Sequence, residues 1–169
     1  MTTLSTQAEN LLISYQNNHV PVDRISWDHF FIDIAFKCAI RSHDTQTKHG
    51  CVLVNKDNEI ISTGYNGLPR RINDKLLPNT RPDKYDWMIH AEANAVYSCA
   101  RQGKSTQNCT AYVTGHPCLN CLLLMWQVGI RYIVHAGQKS KMMEDQKYQA
   151  KIEVFKYVTG ISIREIKYN

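Results

Sequence analysis

"TAYVTGHPCLNCLLLMWQVGIRYIVH", residues 110 to 135, reads as a strand, a helix and a second strand. The β-rich run 110–114 is followed by Pro117, a residue suited to a helix start. The apolar segment 118–128 is then closed by Gly129, and the β-rich run 130–135 follows. Two strands joined by a helix form a crossover unit, which places them side by side in one sheet.

The same alternation extends in both directions. Upstream, a helix is expected from about residue 90 to 101, closed by Gly103; downstream, another from about 144 to 158 is stopped by Gly160, and "ISIREIK" (161–167) reads as a last strand. Ahead of these, "GCVLVN" (50–55) and "EIISTG" (59–64), joined by "KDN", form a β-hairpin. A helix beginning after Ser26 as N-cap, with Asp28 in its first turn, carries Phe30, Ile34, Cys38 and Arg41 at i+3 or i+4 intervals. Residues 4–15 suggest a short helix or arm, and 65–88, with three prolines, a long loop of the kind that is usually functional. The order predicts one domain over 1–169, with residues 1–20 as an N-terminal helix or arm. Its architecture is a three-layer α/β/α sandwich around a mixed five-stranded sheet.

The composition, 43% hydrophobic and 21% charged, is that of an ordinary globular protein. No stretch is apolar enough for a membrane helix, and the N-terminal residues lack the basic start and apolar run of a secretory signal. The expectation is a cytoplasmic protein whose six cysteines are free thiols or metal ligands. The net charge of +5 comes from scattered basic residues, a pattern that argues against nucleic acid and fits an anionic small molecule.

Two short motifs carry chemistry. In "IHAEANAV" (89–96) and "HPCLNC" (116–121), His90, Cys118 and Cys121 supply three ligands for a tetrahedral zinc with its fourth position open. All three fall at expected helix starts, where the positive end of the helix dipole favours thiolate over thiol. Two thiolates leave the zinc little net charge with which to acidify a water. A local base is therefore required, and Glu92 stands two positions past His90 as general base and then general acid. Other readings of the cysteines are a redox pair, or a closed structural zinc with His116 or Cys99 as fourth ligand. The joint pattern, H-x-E followed by P-C-x-x-C, is the arrangement of zinc deaminases.

With "RSHDTQTKHGCVLV", "GYNGLP" (64–69), "HAEANAV" and "YVTGHPCLNC" in place, the chain resembles the cytidine deaminase superfamily and, within it, the deoxycytidylate (dCMP) deaminase branch. The resemblance runs from about residue 32 to the C-terminus. It implies zinc-dependent hydrolysis of dCMP to dUMP and ammonia, supplying dUMP for dTMP synthesis, with water attacking C4 while Glu92 protonates N3. It also implies a homo-oligomer, commonly a hexamer, activated by dCTP and inhibited by dTTP, often with Mg2+. Gly64, Tyr65, Gly67 and Arg70 would belong to that regulatory site, and Arg71 would also be available to a triphosphate. Asn66 corresponds to an Asn that contacts the sugar, and is alternatively a turn residue tolerant of left-handed backbone. Arg41 is the candidate for the 5′-phosphate, and alternatively a solvated helix end. The chain departs from many relatives at His49, Gly50 and Cys51, and at His116 beside the pocket.

Overall fold

A computed structural model describes residues 3–138 and 141–168. Residues 1–2 of the expected arm, residues 139–140 and the last residue of the expected domain lie outside the described residues.

Every expected element forms. Helix α1 (Thr6–Asn17) is capped by Ser5 and buries none of its residues, so it lies apart from the core as an arm. Helix α2 (Trp27–Ala39) starts at Ser26, whose side chain accepts from the His29 N–H. Strands β1 (Gly50–Val54) and β2 (Ile60–Tyr65) form the antiparallel hairpin. Helix α3 (Ala91–Gln102), strand β3 (Thr110–Gly115), helix α4 (Leu119–Gln127) and strand β4 (Tyr132–Gln138) follow in turn. Helix α5 (Gln146–Thr159) then leads to β5 (Ser162–Glu165). Gly103 and Gly160 end α3 and α5 at φ of 65° and 69°, the left-handed conformation that glycine adopts without a Cβ penalty.

The strands order as β2-β1-β3-β4-β5. β1 is antiparallel to both of its neighbours, and the β3–β4 and β4–β5 pairs are parallel. The mixed sheet follows from the connections: a short turn reverses the chain between β1 and β2, and helices carry it over from β3 to β4 and from β4 to β5. β1, "GCVLV", is buried at all five positions because both of its faces are covered. Cys51 and Leu53 join the core with α3, α4 and α5, whereas Val52 and Val54 join Phe31, Ile32 and Ala35 of α2. The result is the expected three layers. No helix among the described residues is long and apolar enough to cross a membrane.

The buried face of α2 is one position from the expected one. Phe31, Ile32, Ala35 and Ala39 face the sheet, while Phe30 is 39% exposed and Arg41 lies beyond the helix end. The cause is close packing. A Cβ built on Gly50 would sit 1.8 Å from the Ala35 carbonyl oxygen, so the helix rests on small side chains there and its larger Phe30 turns to the rim. β2 approaches α3 in the same way. A Cβ on Gly64 would lie 2.1 Å from the Ala91 oxygen and 2.5 Å from the Ala95 nitrogen.

The long loop after β2 folds back on the molecule. Gly67 and Ile89 exchange two backbone hydrogen bonds, of 3.0 and 2.8 Å, which close its base. Lys84, in a 3-10 turn (Asp83–Asp86), donates to both carboxylate oxygens of Asp44 at 2.7 and 2.5 Å, with both side chains 3% exposed. Asp44 also accepts from the Gln46 and Thr47 N–H groups and from Asn66 Nδ2. Burial raises the Asp44 pKa, but Lys84 and the two backbone donors outweigh it and hold the carboxyl below its ordinary value.

Three outcomes are expected. Gly64→Ala should destabilise the protein by about 3 kcal/mol, because the new methyl meets backbone that cannot yield without moving α3; urea unfolding measures this. Lys84→Met, which strands a buried carboxylate, should cost about 3–5 kcal/mol and expose the 65–88 loop to limited proteolysis. His135, buried on β4, has its pKa pushed down to about 4 by burial and by the neighbouring His116 and Lys156. Its folded pKa lies below its unfolded value of about 6.5, so its contribution is complete above that value and lost as pH falls toward 4. His135→Asn should flatten the pH dependence of the urea midpoint across that window.

Candidate active site

Helices α3 and α4 begin at the same place. His90 is the N-cap of α3 and Cys118 the N-cap of α4, both with extended backbone and neither with its side chain capping its own helix. Their side chains instead face each other, joined by Cys121 from the first turn of α4. His90 Nδ1 lies 3.5 Å from Cys118 Sγ and 3.5 Å from Cys121 Sγ, and all three donor atoms fall within 4.8 Å of one another.

This spacing fits zinc. Bonds of about 2.3 Å to sulfur and about 2.0 Å to nitrogen at a tetrahedral angle separate N from S by about 3.5 Å. Among the described residues no further His, Cys, Asp or Glu joins the group. Cys99 is in the core and His116 is outside the cluster, so the geometry disfavours a closed four-ligand site. The electrostatics favour one thiolate, at Cys118, with a proton kept on Cys121. The Cys121 S–H bonded to Cys118, with His90 beside it, holds Cys118 down to about 4 against the cost of burial. The proton retained between the sulfurs, burial and the nearby Glu92 push Cys121 the other way. A dication would displace that last proton.

Glu92, in the first turn of α3, is 6% exposed. Burial raises its pKa, and its own backbone N–H and His90 draw it only partly back. With His90 and Cys118 it lines a cavity of about 560 Å³, large enough for a small ligand. The walls also include His49 and His116, whose pKa values burial lowers, so that neutral imidazoles stand beside the His90–Cys118–Cys121 cluster. The His116 Nδ1–H donates to the Pro117 oxygen at 2.8 Å, and its ring packs edge-on against His135 at 5.0 Å.

The remaining expected residues divide. Asn66 lines the cavity and has ordinary negative φ, which removes the left-handed turn reading; among the described residues the non-glycine positions with positive φ are Asn58, Arg71 and Asn108. Its amide is engaged: Oδ1 accepts from the His49 N–H at 2.7 Å, and Nδ2 donates to Thr47 O and Asp44. Arg41 is exposed just past α2 and does not line the cavity, so the solvated helix end is its place in this structure. Gly64, Tyr65, Gly67 and Arg70 are also outside the cavity. Gly64 is buried as a packing contact with α3, while Tyr65 and Arg70 are exposed.

Sequence reasoning missed Asp44, Thr47, Arg81, Lys84 and Tyr85, all of which line the cavity. For Arg81, Lys84 and Tyr85 the signal was "RPDKYD" (81–86), a charged and aromatic run in an otherwise irregular loop just ahead of the H-x-E motif; Asp44 and Thr47 lie in "RSHDTQTK" (41–48).

Residues 25–136 match the family model for the cytidine and deoxycytidylate deaminase zinc-binding region. Deoxycytidylate deaminase of Mus musculus is 34% identical over 123 residues, which cover 69% of this chain and 68% of that protein. Among solved structures, dCMP deaminase from the cyanophage S-TIM5 shares the fold in its apo form, with a TM-score of 0.65 at 20% identity. That match covers 85% of this chain and 100% of the phage chain. The same phage enzyme in complex with dCMP and dUMP superimposes with a TM-score of 0.56 at 16% identity, covering 97% of this chain and 100% of that one. Three converging ligands, a buried carboxylate beside them and the extent of these matches lead to one conclusion: the chain belongs to the cytidine and deoxycytidylate deaminase family.

Proposed function

We propose that the chain is a zinc-dependent dCMP deaminase, converting dCMP and water to dUMP and ammonia. The observation that carries this reading is the placement of His90, Cys118 and Cys121 around one point, with Glu92 buried beside them in the same cavity. The relatives named as deoxycytidylate deaminases, and the phage enzyme solved with dCMP and dUMP, support the choice of substrate.

In this mechanism His90, Cys118 and Cys121 would hold the zinc, which when bound would polarise a water for attack on C4 of the cytosine. Glu92 takes the proton from that water and passes it to N3 as the C4–O bond forms. It then transfers the second proton of the water to the 4-amino group, and the C4–N bond breaks to release ammonia. A buried carboxyl whose ionised form is disfavoured both gives and takes a proton readily, which suits one residue serving in both directions. Asn66 keeps the wall in place through its bonds to His49, Thr47 and Asp44, and retains one Oδ1 lone pair for a sugar hydroxyl.

The reading extends to a single catalytic domain over the chain, with residues 1–20 as an appended arm. The family resemblance of "GYNGLP" supports regulation by dCTP and dTTP with Mg2+ in a homo-oligomer such as a hexamer. Tyr65 and Arg70, exposed and outside the cavity, are accessible to a second nucleotide there. Arg41 is not retained as the phosphate ligand. Cytoplasmic residence belongs to the same proposal, supported by six free cysteines.

Glu92→Gln should lower dUMP formation by about 1,000-fold or more while the protein keeps one zinc per chain. Wild-type turnover with no such loss would remove Glu92 from its role. Cys118→Ser should lose both metal and activity. Ammonia release from free dCMP, with none from tRNA or single-stranded DNA, separates this function from a nucleic-acid deaminase.

A further inference from the structure

We infer that Arg81 is the residue by which this chain selects a 5′-phosphorylated nucleotide over the bare nucleoside. The inference rests on the deaminase reading of the same cavity and adds the group that reads the substrate's charge.

Charge balance identifies it. Outside the ligand cluster, the described residues that line the cavity include two carboxylates, Asp44 and Glu92, and two basic side chains, Lys84 and Arg81. Asp44 and Lys84 neutralise each other in a pair that solvent scarcely reaches. Glu92 is occupied beside the reacting atoms. Arg81 has no carboxylate within ion-pair distance among the described residues. Among the described residues it is the one cation on the wall whose charge is unspent, and a phosphate dianion in the cavity has no better partner among them.

Its position is fixed without using up its donors. The Arg81 backbone N–H donates to Gln46 Oε1 at 2.9 Å, and Nη2 donates to Thr47 Oγ1 at 3.0 Å. The guanidinium carbon lies 6.0 Å from the centre of the Tyr85 ring, which also lines the cavity. One guanidinium hydrogen is therefore engaged, and the rest of the planar fork is available for two parallel bonds to a phosphate. Lys84 is a poorer candidate, since it spends two of its three hydrogens on Asp44. The segments that orient Arg81 are those the buried pair ties together: Gln46 and Thr47 follow Asp44, and Arg81 precedes Lys84 by three positions.

The test uses the zinc-loaded full chain and two pairs of probes that differ only in phosphate. Binding of dUMP and deoxyuridine is measured by calorimetry, and kcat/KM is measured for dCMP and deoxycytidine. Arg81→Gln should shrink the preference for dUMP over deoxyuridine by about 10- to 100-fold, the range for a hydrogen bond to a charged group. The same narrowing should appear in kcat/KM, carried by KM. Arg81→Lys, which keeps the charge and loses the fork, should recover part of it. A Gln variant that keeps the wild-type phosphate preference, or that weakens phosphorylated and bare ligands equally, overturns the assignment. Wild-type protein that prefers dUMP through Arg81 but makes no dUMP from dCMP overturns the deaminase reading and leaves this one standing.

Discussion

Two helices have to begin at one point. The imidazole comes from the cap of α3 and the two sulfurs from the cap and first turn of α4, and no local segment of chain brings them together. Their meeting depends on the order of the sheet. β3 delivers the chain to the start of α4, and the base of the long loop, pinned at Gly67 and Ile89, delivers it to the start of α3. Packing then holds the helices at that spacing. Gly64 lets β2 touch the α3 backbone, and Leu122 and Met125 of α4 share one core with Ala91 and Ala95 of α3. The chemistry at the cluster is local, but its geometry is a property of the whole α3–α5 layer.

Much of this was legible in the sequence because the signals were redundant. Ser26 opens α2 with a side chain that accepts a backbone hydrogen, and Gly103 and Gly160 close α3 and α5; each of these boundaries was marked by residue chemistry as well as by periodicity. The zinc cluster was legible for a similar reason, since H-x-E and C-x-x-C each place their residues on one helix turn. Only the distance between the two turns had to be supplied by the fold.

What escaped was whatever depended on one element's orientation against another. α2 is apolar at 30, 31, 32, 34, 35, 36, 38 and 39, so spacing allows either of two adjacent stripes; the absence of a side chain at Gly50 decides between them. The charged wall escaped for a different reason. Arg41 was an attractive cation because a guanidinium suits two bonds to a phosphate, yet the chain turns after Ala39 and leaves it in solvent. Arg81 and Lys84 lie in a loop with no periodic pattern, and only the return of that loop onto Asp44 brings them to the cavity.

The cavity's two sets of charges stand in different surroundings. Asp44 and Lys84, at 3% exposure, sit where mobile counter-ions cannot intervene, whereas the Arg81 side chain is open to solvent. Added salt therefore acts unequally on them, shielding the attraction at the entrance while the internal brace keeps its strength. Ionic strength would thus tune how readily an anion is captured, without loosening the walls that receive it.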